Sequence, residues 1–219
     1  MSGGETSDYQ RDVEQYTEAA VAANNETSGT EGDSNPHVYT TVLQPRNPDD
    51  DRRAAVILDI LRRSISRYRD YKAALLDGYQ IFMPNKTQAQ YQFTNYRYAF
   101  SAVFLFNPGH PTSLLYRKTK DGGYELRGAM FTAPKNATRE QLSERIPLSM
   151  ARWYEHVNLC MPPKGTPAQQ VDWKQFGLTG SIVSQDACAK AGGRWVPQVF
   201  GWMVRVYPFE SDPEKIWSR

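Results

Sequence analysis

The sequence predicts an α+β fold, a single domain in which an antiparallel sheet carries helices packed on one face. Three observations lead there. A long amphipathic stretch opens the body, aromatic and β-branched runs then cluster around an Asp-Gly turn, and helical signals return only after them. Strands that cluster in this way do not alternate with helices, which excludes a doubly wound parallel sheet.

The first element is a helix over 48–76. Asp49, Asp50 and Asp51 place negative charge at the positive end of the helix dipole. Ala54, Ile57, Leu58, Leu61, Ile65, Tyr68 and Leu75 recur at three- and four-residue spacing and form one apolar stripe. Asp77-Gly78 stops it. Arg62, Arg63, Arg67 and Arg69 fall on the other side, interleaved with Asp59 and Asp70, and read as a solvated face.

Strands follow. Gln88–Tyr98 and Phe100–Phe106 are rich in aromatic and β-branched residues. Asn107-Pro108-Gly109 is a turn. Ser113–Thr119 and Tyr124–Thr132 flank Lys120-Asp121-Gly122-Gly123, a hairpin signal. Thr138, followed by Glu140 and Gln141, starts a helix. Pro147 opens a second one over Leu148–Leu159, ended by Pro162-Pro163. Residues 161–182 read as a long loop, Ser184–Ala191 as a short helix before Gly192-Gly193, and Val196–Pro208 as a last buried strand.

Composition narrows the class. In 219 residues no apolar run is long enough for a membrane-spanning helix, and no collagen period or sustained heptad seam occurs. Charge divides the chain. Residues 1–34 hold eight acids and only Arg11 as a base, so the rest of the chain is basic although the total is only +2. The expectation is a disordered acidic segment over 1–35, with a short helix near Asp12–Ala23, ahead of an α+β domain over 36–219.

Two cysteines remain to be placed. Pairing Cys160 with Cys188 would close a long, proline-bearing loop, and two unpaired buried thiols are the alternative. The disulfide implies a secreted or periplasmic protein whose leader has been removed. Without one, the absence of a basic-then-apolar start makes the chain cytoplasmic.

The candidate chemistry is sparse. His156 and Cys160 stand four apart on the expected helix and share a face, the spacing of two ligands for a transition metal, Zn or Cu. His110 or His37 would join His156 from elsewhere in the fold. If the disulfide forms, Cys160 drops out and the metal rests on His110 and His156. Trp153 and Tyr154 are candidate walls of a small-ligand pocket. No nucleophile elbow, phosphate loop or dinucleotide fingerprint occurs. The aromatic run Tyr91–Tyr98 lacks a dense basic cluster beside it, which argues against nucleic acid. The function expected is an extracytoplasmic binding protein for a metal ion or small ligand. A metal-assisted hydrolase and a structural, partner-binding domain are the alternatives.

Overall fold

The computed structural model describes Arg11, Gln15 and residues 35–217. The acidic segment expected over 1–35 lies outside the described residues except at Arg11, Gln15 and Asn35. The fold is α+β. Eight strands pair antiparallel: β1 (Val38–Thr40), β2 (Gln80–Ile81), β3 (Tyr91–Thr94), β4 (Ser113–Lys118), β5 (Tyr124–Ala133), β6 (Tyr154–Met161), β7 (Arg194–Gln198) and β8 (Trp202–Val206). Their order is β1-β6-β8-β5-β4-β3-β2, with β7 on β6. Among the described residues no helix is long and apolar enough to cross a membrane. The chain divides into two compact units, each built from separate stretches of sequence.

The larger unit comprises Thr40–Pro84, Ala89–Glu155 and the stretch from Gly201. Its first helix, α1 (Pro48–Ile65), begins at Asn47, whose side chain accepts from the Asp50 amide. Pro48 at the first helical position has no amide hydrogen to leave unsatisfied. Ser149 Oγ donates to Asp50 Oδ2 at 2.7 Å. That bond, more than the contacts with Asn47 and Arg53, holds the Asp50 carboxyl below its ordinary range although burial opposes it.

The apolar stripe of α1 is buried at Ala54, Ile57, Leu61 and Ile65. It packs in one cluster with Tyr91 and Phe93 of β3, Leu114 and Tyr116 of β4, Phe131 of β5 and Val204 of β8. The register makes these neighbours, because Phe93 faces Leu114, Tyr91 faces Tyr116, and Phe131 faces Val204. Period-two alternation therefore puts one face of the sheet against the helix. Burying each large apolar side chain contributes about 1.5–3 kcal/mol.

Four local expectations are corrected here. The helix expected over 48–76 breaks after Ile65 into a 3-10 turn, Ser66–Arg69, and a separate α2 (Tyr71–Leu76). Tyr116 Oη donates to the Tyr68 carbonyl, and the Asp70 side chain accepts from the Lys72 amide to cap the new helix. Residues 100–106 are not a strand. Asn95 caps α3 (Tyr96–Ser101) by accepting from the amides of Arg97 and Tyr98, and Arg145 donates to the Ala102 carbonyl at its far end. Aromatic composition is overridden by these fixed ends.

The third correction is Leu148–Leu159. After α4 (Arg139–Arg145), which starts with a capping box at Thr138 and Gln141, one turn follows Pro147 and the chain then extends into β6. Tyr154 pairs with Met203 of β8. The Lys120–Gly123 hairpin forms as expected between β4 and β5. The strand expected over 196–208 is two strands, β7 and β8.

The smaller unit comprises the stretch ending at Tyr39, Asn85–Gln88 and His156–Phe200. Its centre is the Cys160–Cys188 disulfide, with a Cα separation of 5.6 Å. Cys160 lies on β6 opposite Trp195 of β7, and its carbonyl accepts from the Gly177 amide. Cys188 sits on α5 (Gln185–Lys190), capped by Ser184. Phe176 and Ile182 close over the two sulfurs, with Trp173 and Trp195 packed outside them. At Gly193 a Cβ would lie 2.6 Å from Cys160 Sγ and 2.9 Å from Cys188 Sγ, so the bridge leaves room only for hydrogen. Gln15 is fully buried. It donates to the Pro163 and Thr166 carbonyls and accepts from Arg194.

Candidate functional site

The residues singled out from sequence fall in different settings. Trp153 is fully buried in the core of the larger unit, its indole N–H donating to the Ile146 carbonyl. Tyr154 is buried beside it in sequence, its hydroxyl 3.8 Å from Met130 Sδ and the Arg205 guanidinium 5.7 Å over its ring. His110 belongs to an exposed turn, where its ring stacks on Tyr98 at 4.4 Å and Nδ1 lies 3.2 Å from the Asn107 amide nitrogen.

His156 is buried in the smaller unit with the Phe200 ring edge-on at 6.1 Å. It lies on a strand, so Cys160 is about 13 Å further along the chain axis instead of one helical turn away. Cys160 is also spent in the disulfide, which removes it as a thiolate ligand. His37 is buried with its ring nitrogens facing the carbonyl oxygens of Asn158 at 3.1 Å and Gly180 at 2.7 Å. Among the described residues no group of three His, Cys, Asp or Glu side chains is placed to hold a metal ion.

A different site emerges in the larger unit. It is a cleft of about 430 Å³ lined by Arg69, Glu125, Leu126, Arg127, Phe209, Glu210 and Ser211. Its formation starts in the β4–β5 ladder. Leu115 faces Gly128, but Tyr116 faces Leu126, so Arg127 is an extra residue without a cross-strand partner. This β-bulge re-aims Arg127. At Gly128 a Cβ would come within 2.5 Å of the Val206 carbonyl oxygen, so only glycine admits the next strand that closely.

Arg127 then bridges two carboxylates, Glu125 Oε1 at 3.1 Å and Glu210 Oε1 at 3.0 Å. Arg117 holds the other oxygen of Glu125. The Arg117 bonds, then those of Arg127, keep the Glu125 carboxyl below the ordinary carboxylate range, so it stays ionised in the cleft. The opposite wall is a loop held by the Arg62 guanidinium, which donates to the Pro208 carbonyl at 2.7 Å. The Tyr207 amide also donates to Ile216, at the end of α6 (Pro213–Ile216).

Arg69 completes the cleft. The 3-10 turn that breaks the first helix delivers its guanidinium 4.8 Å over the Phe209 ring. It has no carboxylate partner among the described residues. The arginine stripe read from sequence as one solvated face is thus divided among separate tasks. Arg62 fastens a loop, Arg63 pairs with Asp59, Arg67 pairs with Asp77, and Arg69 faces the cleft. Sequence reasoning missed Arg127 and Phe209. The one local signal was a Glu125-x-Arg127 pair inside a strand, which is not distinctive.

Arg117, Arg127, Glu125 and Glu210 neutralise one another, so the cleft keeps the charge of Arg69. A planar guanidinium beside an aromatic wall suits a carboxylate or phosphate attached to an apolar group. A scan against protein-family models, a search of curated proteins and a search of solved structures each return no match, so the function is read from this geometry alone.

Proposed function

We propose that this chain is a binding protein of an oxidising, extracytoplasmic compartment that takes a small organic anion in the Arg69–Phe209 cleft. The observation that carries the reading is Arg69, a cation stacked on an aromatic ring at a cleft whose other charges are already paired. The Cys160–Cys188 bridge supports the compartment, because disulfides persist where thiols are not kept reduced. The anion would accept from the Arg69 fork while its apolar part lies on Phe209.

Titration calorimetry with phenyl phosphate and benzoate tests this. Charge-assisted hydrogen bonds contribute about 1.5–3 kcal/mol, so Arg69→Ala is expected to weaken binding roughly 10- to 100-fold. Arg69→Lys keeps the charge but loses the fork, and its affinity is expected to fall between the two. Equal affinity in wild type and Arg69→Ala overturns the proposal.

A further inference from the structure

We infer that the outer face of α3 and the turns that continue it pair with the same face of a second copy of this chain. The surface is separate from the cleft and does not depend on its ligand. Backbone bonds from Val103 to Phe100 and from Phe104 and Leu105 to Ser101 prolong the helical spacing past Ser101. Tyr96, Phe100, Val103 and Phe104 therefore share one side, with Leu105 at its end.

All five are large, apolar or aromatic, and open to solvent. Phe100 is 70%, Phe104 75% and Leu105 70% exposed, and the Phe100 and Phe104 rings meet edge to face at 5.6 Å. Leu76 extends the surface. It is 87% exposed and precedes Asp77, whose carbonyl accepts from the Asn95 side chain at the start of α3. Side chains of this size present roughly 150–250 Å² each when open, so at their observed exposures the five together offer on the order of 600 Å².

The face is held ready. On its inner side the Tyr98 ring stacks on His110 and meets Tyr79 edge-on, and Phe106 packs against Phe131. Asn95 fixes one end and Arg145 the other. A surface already ordered loses little conformational freedom on binding.

Three observations select a second copy as the occupant. Between Tyr96 and His110 the only Lys, Arg, Asp or Glu is Arg97, and charge-poor, aromatic-rich surfaces are the composition of subunit interfaces. An anionic bilayer would call for a rim of several Lys or Arg. Two such faces bury about 1,200 Å² together, the lower bound of stable protein interfaces. A net charge of +2 opposes self-association only weakly. Two-fold pairing is self-complementary, so Phe100 and Phe104 of each copy meet the same residues of the other.

Analytical ultracentrifugation of the full chain over a wide concentration range tests this. A monomer–dimer equilibrium is expected. Phe100→Glu with Phe104→Glu is expected to raise its dissociation constant roughly 100-fold, with unchanged far-ultraviolet circular dichroism because both residues are exposed. Hydrogen exchange on the wild type provides a second readout that needs no variant. Amides of 96–105 are expected to gain protection as concentration rises. A monomer at every concentration overturns the inference, as does a dimer indifferent to both substitutions. A monomer that binds anionic phospholipid vesicles through this face also overturns it. Arg69→Ala is expected to dimerise like wild type, so failure of the cleft reading and failure of this one are distinguishable.

Discussion

Replacing the disulfide with Cys160→Ala and Cys188→Ala isolates what holds the smaller unit together. The two residues are 28 positions apart. In the chain-entropy treatment, a cross-link of that span withholds about 12 cal/mol/K from the unfolded chain, or about 3.5 kcal/mol at room temperature. That is roughly a 300-fold change in the folded-to-unfolded ratio. The sulfurs themselves sit in a small cluster with Phe176 and Ile182, so the packing lost with them is minor beside the loop entropy. Urea unfolding followed by tryptophan fluorescence measures the loss. Trp173 and Trp195 pack against the bridge and report on this unit, whereas Trp153, Trp202 and Trp217 lie in the core of the other. The expected outcome is a low-urea transition in the Trp173 and Trp195 signal, reproduced by reducing the wild type. A loss under about 1 kcal/mol would show that the unfolded chain already confines the loop, and the entropic reasoning would fail.

Two further outcomes follow from single contacts. Ser149→Ala is expected to let the Asp50 carboxyl rise toward its ordinary value and to cost about 1.5 kcal/mol near neutral pH. Because the folded-state pKa of Asp50 is depressed, its contribution is complete above the unfolded value and is lost as pH falls through the folded one. The stability gap between wild type and variant, read from urea melts, is therefore expected to close in acid; a gap indifferent to pH refutes the bond. Gly193→Ala is expected to cost about 2 kcal/mol through overpacking. In the Cys160→Ala, Cys188→Ala background two of its three obstructions are gone, so a double-mutant cycle is expected to show strong coupling, and additive penalties would disprove the contact.

What the sequence disclosed is what depends on neighbours in the chain. The Lys120–Gly123 hairpin, the Thr138 helix start, the Ser184 helix and the α1 stripe are all set by residues within a few positions of one another. The errors fall where distant partners decide. Phe100–Phe106 has the composition of a strand, but Asn95 caps a helix that ends at Ser101, and Arg145 takes the Ala102 carbonyl from 43 positions away, so the segment leaves the helix as turns. His156 and Cys160 satisfy a helical and an extended face equally, since both repeats bring residues four apart to one side. The pairing of Tyr154 with Met203 and of Cys160 with Trp195 chose extension. The cleft was illegible for the same reason. Arg69, Arg127 and Phe209 arrive from a turn, a bulge and a loop with no common local spacing. The disulfide was legible only as arithmetic on two cysteines, and Gly193 shows that the neighbouring backbone is shaped to it.

The strand order carries a consequence for biosynthesis. β8 lies between β6 and β5, yet follows both in the chain. While a ribosome extends the polypeptide, β5 leaves the exit tunnel with one edge unpaired. That edge stays open through the synthesis of both cysteines and of α5 and β7. The bridge is therefore able to close before the central sheet is whole. The open edge, the five residues Ala129–Ala133 that β8 will cover, invites pairing with other nascent chains. The nascent protein is thus open to aggregation along β5 until β8 is available to cover that edge.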